Sequence, residues 1–538
     1  MTRRKKEILL LFLVLAIIVF GALNSTRFFT RIDMTENQIF SISDVSKEMI
    51  ADIPETVHIT YYLSEKLKKY APTFDLAADI LNEYAASSHG NIQVDIIDPV
   101  KAGMSGRAEQ LGVQPRQINI QEEDESSFAV VYSGIVIEYL DRYETIPFLS
   151  NTETMEYELT STITELVKNR TSTIGVLIGN DDRRLEEDYQ FLKDTLSKGY
   201  EVKPINQGTT IPDTLSGLLV IGGRDLDTFD LYPIDQYLMD GGKILFAVDG
   251  VPINNRNFQP AETGEMPILD MLSAYGVDIK KKLVLDQNHR VFATNNQGQT
   301  RVMPYPHWVE LVPKNVSDKS PLTKNFSGLD LFWPSPLEIN KKEGLEYTRI
   351  LSTSEKGYTI EKDFSVYVNP QYSSQLADVA GDERNQYDLG YTVTGSFPSY
   401  FAEKEIPTRE GEVREWESIT KTSKKTRAAV IGDSDFPSNL IQFSMSKNIL
   451  NRSMSKYNVQ FAETCADWLS KDNRLMQIKN RQVRDMRLNK IQDPGVKQFT
   501  MLFVIVLNIV IVPLAVIVFG IIRYMRRRNI EASAGGEE

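Results

Sequence analysis

Cysteine occurs once in the 538 residues, at Cys465. A single thiol excludes an intramolecular disulfide, a CxxC redox motif and a cysteine-based zinc site. No cysteine lies near the N-terminus, so acylation as a bacterial lipoprotein is excluded as well. Histidine is almost as scarce. His58, His89, His289 and His307 form no H-E-x-x-H or other close pair, which argues against a zinc hydrolase. There is no G-x-x-x-x-G-K-[ST], hence no P-loop. The glycines after Ile178 and Ile221 fall short of G-x-G-x-x-G and read as tight strand–helix turns. Basic residues are outnumbered, 60 Lys and Arg against 73 Asp and Glu, for a net charge of −13. Phosphate backbones need a basic surface, so a nucleic-acid partner is not expected. Mean hydropathy of −0.27 excludes a polytopic membrane protein.

Long apolar runs are few but well placed. Ile8 to Leu23 is unbroken and follows Arg3, Arg4, Lys5 and Lys6. With snorkelling Lys6 and with Phe28 and Phe29 at the far interface, residues 8–28 read as a transmembrane helix. No small-x-small cleavage site follows Leu23, which favours an uncleaved anchor over a signal peptide. Residues 499–522 form a second span, interrupted by Thr500, Asn508 and Pro513. Asn508 would seek a partner within the membrane, on a neighbouring helix or on its own backbone. The four leading cations place the short tail 1–7 in the cytoplasm, and two spans return 523–538 to the same side. The intervening body is then extracytoplasmic, outside the cytoplasmic membrane. The tails carry +3 and +1, so the region between carries −17. The exception is the basic membrane-proximal segment 471–498, which suits lipid headgroups, an acidic partner loop or a solvated helix.

The body reads as α/β throughout, in two units. In the first, residues 35–168, strands at Thr56–Leu63 and Asn91–Ile97 flank a helix at Phe74–Tyr84. A short helix at Gly106–Leu111, strands at Phe128–Tyr139 and Tyr143–Leu149 and a helix at Glu153–Lys168 complete it. The order βαβαββα resembles a thioredoxin-like domain, here without the CxxC. In the second, residues 172–470, apolar strands at Ile174–Ile178, Gly217–Ile221, Lys243–Val248 and Ala428–Gly432 alternate with helices. That pattern predicts a doubly wound, Rossmann-like parallel sheet. The stretch of about 287–423 is rich in Asn, Pro, Ser and charge and reads as an irregular insertion, with a strand at Tyr358–Tyr367. A helix at Asn458–Leu469 closes the unit.

Ligands of doubly wound sheets bind at the carboxyl ends of the strands. Those ends carry Asn180, Asp181, Asp182, Arg224, Asp249, Asp433 and Asp435. Asp181, Asp182, Asp249, Asp433 and Asp435 are therefore the candidate ligand site, for a cation or a sugar hydroxyl; the competing reading is helix capping. Ser434, in Gly432-Asp-Ser-Asp435, is the nearest approach to a nucleophile elbow but lacks the second glycine. Cys465 sits mid-helix beside Trp468 and Leu469 and reads as core.

Arg31-Ile-Asp-Met-Thr-Glu-Asn-Gln-Ile-Phe-Ser-Ile-Ser43, after the first apolar run, resembles the opening signature of the GldG-like family of gliding-motility-type auxiliary subunits of ABC transporters. Tyr132–Tyr139, Ile146-Pro-Phe-Leu149, Glu156-Tyr-Glu-Leu-Thr160, Tyr275-Gly-Val277, Pro304-Tyr-Pro306 and Gly432-Asp-Ser-Asp-Phe436 continue the likeness. Ile234-Asp-Gln-Tyr-Leu-Met-Asp-Gly-Gly-Lys243 is its most specific part. The resemblance implies an amidotransferase-like second domain without the catalytic cysteine, no cofactor and no enzymatic role. It implies as partners a separate ABC permease subunit, a cytoplasmic ATPase subunit reached through it, membrane lipid and an envelope or lipoprotein substrate. On this reading Asn508 is the contact to a permease helix. The alternative from the residues alone is an extracytoplasmic receptor for a sugar, peptide or metal, using the strand-end acids.

Overall fold

The computed structural model describes residues 41–479 apart from 52, 71–72, 123–124, 150–151, 153, 169–171, 297–298, 370–375, 377–383, 411–419 and 441–454, together with 514 and 519–521. The chain divides into two units, Met1–Gln482 and Val483–Glu538. Among the described residues no helix is long and apolar enough to cross a membrane. The expected spans 8–28 and 499–522, the tails, Asn508 and residues 480–498 lie outside the described residues, save Leu514, Phe519 and Ile521, which are exposed, and Gly520.

The first domain is built from α1 (Asp44–Ala51), β1 (Val57–Leu63), α2 (Thr73–Ser87), β2 (Ile92–Ile97), β3 (Ser133–Tyr139), β4 (Arg142–Ile146) and α3 (Met155–Lys168). Its sheet has the order β2-β1-β3-β4, with β1 and β2 parallel and the other pairs antiparallel. β1 is a run of β-branched and aromatic side chains, and Val57, Ile59 and Tyr61 are buried in the core with Leu81, Tyr84, Ile137 and Leu159. The Tyr84 hydroxyl ties α2 to α3, donating to the Glu156 carbonyl at 2.9 Å and sharing a hydrogen bond with Thr160.

One strand expected from the sequence is two. Phe128–Tyr139 breaks at Tyr132, whose N–H donates to Ser64 Oγ at 3.0 Å while its carbonyl accepts from Ser64 N. The residues before the break join a separate hairpin, Arg116–Glu122 with Glu125–Val131, and those after it pair with β1.

The second domain contributes β5 (Thr173–Ile178), β6 (Glu201–Ile205), β7 (Gly217–Ile221), α4 (Thr228–Met239), β8 (Ile244–Ala247), β9 (Leu345–Ser352), β10 (Asp388–Gly395), β11 (Thr426–Ile431), α5 (Ser455–Ser470) and α6 (Asn473–Lys479). They form one seven-stranded sheet ordered β9-β10-β11-β8-β7-β5-β6. β6, β5, β7, β8 and β11 are parallel; β10 and β9 extend the edge antiparallel. β7 and β8 are buried on both faces, as their unbroken apolar sequences require.

Two expectations need correction. The parallel strands run 2-1-3-4-5, the flavodoxin-like order rather than the Rossmann order. The region 287–423 is not an irregular insertion: it supplies β9 and β10 to the main sheet and holds a three-stranded sheet, His289–Asn296, Gln299–Leu311 and Leu329–Phe332. Within it, the expected strand Tyr358–Tyr367 stops at Ile360. Asp363 turns left-handed (φ 56°), and a helical turn, Phe364–Tyr367, follows.

Candidate functional site

The strand-end acids separate into two groups. Asp249 follows β8, and Asp433 and Asp435 follow β11, its parallel neighbour, so the sheet brings the three together. All are buried, together with Ser434. The Asp249 carboxyl accepts from Ser434 N at 2.7 Å and is hydrogen-bonded to Ser434 Oγ, which staples the two strand ends. Asp433 accepts from Asp435 N at 2.6 Å and Phe436 N at 3.1 Å, and from Phe332 N at 2.6 Å. It thereby holds the three-stranded sheet against the main one. Asp435 pairs with Arg183, from the loop after β5, at 3.0 Å.

Burial drives the electrostatics here. It raises all three carboxyls above their ordinary range, and each is raised further by neighbouring acids. Asp249 is pushed up to about 7, chiefly by desolvation and by Asp435, against the lowering effect of Ser434. Asp435 is raised by burial although Arg183 opposes it. Arg183 Nη1 and the Tyr189 hydroxyl are buried without a hydrogen-bond partner among the described residues.

Asp181 and Asp182 stand apart, at the crevice between β5 and β7 where the strand order reverses. That crevice is the usual ligand position, but here the chain fills it. Asn180 Oδ1 accepts from Gly223 N at 3.1 Å and Arg224 N at 3.0 Å. Gly222 (φ 78°) has no room for a Cβ, which would meet the Asn180 carboxamide at 2.6 Å. Arg224 donates to Asp182 at 2.9 Å and to Asp225, while Asp181 accepts from Gln207 at 3.1 Å. The five candidate residues thus bind their own chain. Among the described residues no group of three or more His, Cys, Asp and Glu is arranged to hold a metal ion.

The other candidates are also absorbed by the fold. The Ser434 hydroxyl is held by Asp249. Cys465 is buried in the core and burial pushes its thiol up, away from thiolate chemistry. His307 is buried and pushed down to about 4 by desolvation, so its ring is neutral at pH 7; Nε2 meets the Tyr367 carbonyl at 3.0 Å.

Sequence reasoning passed over a second polar cluster, at the junction of the domains. Asp467, buried on α5, is hydrogen-bonded to Tyr200 and to Lys479 of α6, and lies 3.8 Å from Lys471. Lys471 also reaches Ser161 at 2.7 Å and Glu165 at 3.2 Å on α3 of the first domain. Tyr157, Leu475 and Ile478 pack beside it with Val45 and Met49. Lys471 and Lys479 of the basic segment are therefore engaged within the body rather than lipid-facing, while Arg474 between them is exposed and paired with Asp472. The available signal was a lone Asp between Ala466 and Trp468, with Lys471 at i+4.

The Asp249 carboxyl makes a pH prediction. Its folded pKa lies above the value near 3.9 of an unfolded chain, so the native state keeps a proton that the unfolded state releases. This group's stabilisation is complete below pH 3.9 and is lost as pH rises through about 7. Asp249→Asn keeps the shape and removes the titration. Unfolding free energies measured from pH 4 to 8 should fall less steeply for this variant than for the native chain, by at most about 4 kcal/mol across the range. Parallel curves would remove the assignment.

Fold and site together define an α/β protein with separate four-stranded and seven-stranded sheets, whose sheet-end acids serve its own packing. The chain belongs to the auxiliary-component family of an ABC-type uncharacterized transport system, whose model matches residues 171–464. Residues 36–138 match a domain of unknown function, DUF7088. A protein of Borreliella burgdorferi, described as uncharacterized, is 25% identical over 98% of this chain and 100% of its own length. A solved structure, a cold-adapted beta-galactosidase from Rahnella sp. R3, aligns at 10% identity with a TM-score of 0.23, over 54% of this chain and 33% of that one.

Proposed function

We propose that the chain is a non-catalytic accessory subunit of an ABC transporter, anchored in the bacterial cytoplasmic membrane at 8–28 and 499–522 with both termini cytoplasmic. Its acidic body stands outside the cytoplasm as a platform for an envelope or lipoprotein substrate, beside a separate permease and its cytoplasmic ATPase. The family match over more than half of the chain carries this reading. Two features support it. The strand-end polar groups are engaged with the chain itself, which leaves the auxiliary role ahead of the receptor reading. At the C-terminal end of the described body, Lys479 of α6 is held by Asp467 of α5, and Lys471, just before α6, is paired with Glu165 of α3, which ties that end to both sheets. The GldG-like resemblance supplies the finer, gliding-motility-type assignment.

Affinity purification of the intact chain in mild detergent should recover a permease and an ATPase. Deleting residues 499–522 should reduce that recovery severalfold. An intact chain that brings down neither partner defeats the proposal.

A further inference from the structure

The motif Ile234–Lys243 is not accounted for by the strand-end acids or by the junction. Its glycines end α4 in a Schellman turn: Gly241 N donates to the Leu238 carbonyl at 3.1 Å and Gly242 N to Tyr237 at 2.8 Å. Gly241 takes the left-handed conformation (φ 95°), and a Cβ on Gly242 would collide with Tyr237. The turn sets Lys243 immediately before β8. The parallel register, Ile244 beside Ala428 and Leu218, then puts Lys243 between Arg427 and Gly217.

The two cations are treated differently. Arg427 caps the C-terminus of α5, donating to the Leu469 carbonyl at 3.4 Å and Lys471 at 3.1 Å and lying 4.9 Å over the Trp468 ring. Lys243 is half-buried, yet its ammonium has no hydrogen bond or ion pair among the described residues. Burial, then the charge of Arg427, push it down to about 8, and Asp472 opposes them. Asp472 is itself engaged by Arg474 at 2.9 Å.

Lys243 lines a cleft of about 1260 Å³ between the amino ends of the sheet and α3. Thr214, Ser216 and Thr420 bring hydroxyl groups to the same cleft, while those of Thr173 and Ser470 are donated to Glu201 at 3.1 Å and the Ala466 carbonyl at 2.8 Å. Of the acids there, Glu165 is paired with Lys471 and Asp472 with Arg474; Asp213 and Asp240 are solvent-exposed. A desolvated ammonium without a counter-ion is costly. A lysine point charge beside neutral hydroxyl donors complements phosphate, whereas planar carboxylate recognition favours a bidentate arginine. We propose that this cleft binds a phosphate group, with Lys243 as its charge partner. The group belongs either to a small phosphorylated molecule or to a phospholipid headgroup.

Trace acetylation of the full-length chain in detergent at about pH 7.5, read by mass spectrometry, tests this. At that pH an amine titrating near 8 is about one-quarter neutral, against about one-thousandth for an ordinary lysine. In chloride, Lys243 should therefore acetylate at least tenfold faster than Lys282, which is ion-paired with Glu361. At equal ionic strength, millimolar inorganic phosphate should slow Lys243 at least fivefold and leave Lys282 unchanged. Protection by phosphate identifies a small-molecule site; protection by dihexanoyl phosphatidylglycerol alone identifies a headgroup site. Lys243 that both probes leave as reactive as chloride does overturns the proposal. As a second readout, phosphate should raise the melting temperature of the native chain but not of Lys243→Met.

Discussion

Asp467→Ala should destabilise the folded body by about 3–5 kcal/mol, the usual cost of deleting one partner of a buried ion pair. The side chain of Asp467 is 5% exposed, and its carboxylate joins Lys479, Lys471 and the Tyr200 hydroxyl. Deletion leaves two ammonium groups beside the Tyr157 ring, 5.3 and 5.1 Å from its centre, with Glu165 as the remaining close counter-ion of Lys471. Burial alone would raise the Asp467 pKa, but Lys479 and Lys471 outweigh it and hold the carboxyl below its ordinary value. The stabilisation is therefore present above the unfolded pKa near 3.9 and lost as pH falls through the folded one. Urea unfolding followed by tryptophan fluorescence is the measurement, since Trp468 adjoins the cluster. A loss below about 1 kcal/mol would mean that the ions are solvated. Asp467→Leu combined with Lys479→Met should recover part of the loss, because it removes an ion together with its partner.

The same cluster marks where sequence reasoning stops. The apolar runs of β7 and β8 and the alternation of strands with helices are periodic, short-range signals, and they appear in the structure where the pattern places them. What escaped depends on contacts distant in sequence. The break at Tyr132 is made by Ser64, 68 residues away. The 2-1-3-4-5 order has no local signature, and β9 and β10 lie at a half-exposed sheet edge, where polar residues obscure the alternation. The convergence of Asp249, Asp433 and Asp435 followed from their places after neighbouring parallel strands. Their direction did not. Asp433 turns inward to Phe332, 101 residues away, and Asp435 to Arg183, 252 residues away. A charged run such as Asp181-Asp182-Arg183 reads as a solvated rim until the fold brings Asp435 beside it.

Gly432→Ala should cost about 3 kcal/mol or more, the upper part of the range for overpacking a rigid site. Gly432 looks like a turn residue, but its φ is not left-handed; what matters there is proximity. Its carbonyl accepts from Ser335 N at 2.7 Å, and a Cβ would sit inside the contact radius of the Ser335 carbonyl oxygen, which is backbone and cannot rotate away. Gly250 is pressed in the same way against the Lys280 carbonyl and donates to Ser335 Oγ at 2.9 Å. The loop between them is already constrained. Trp333 is left-handed (φ 55°), which costs a bulky residue about 1–2 kcal/mol. It is held there by its N–H to the His307 carbonyl at 2.9 Å and its indole to Tyr305 at 2.7 Å. Gly432→Ala must push this loop outward and weaken the Asp433 bond to Phe332, whereas Gly250→Ala must displace Lys280, whose N–H donates to the Pro336 carbonyl at 2.9 Å. Because the Lys280 and Ser335 segments are joined by the Lys280–Pro336 hydrogen bond, the two shifts are coupled, and Gly250→Ala and Gly432→Ala together should cost less than the sum of the single variants. Fully additive losses in urea unfolding would show that the two glycines act on separate parts of the molecule.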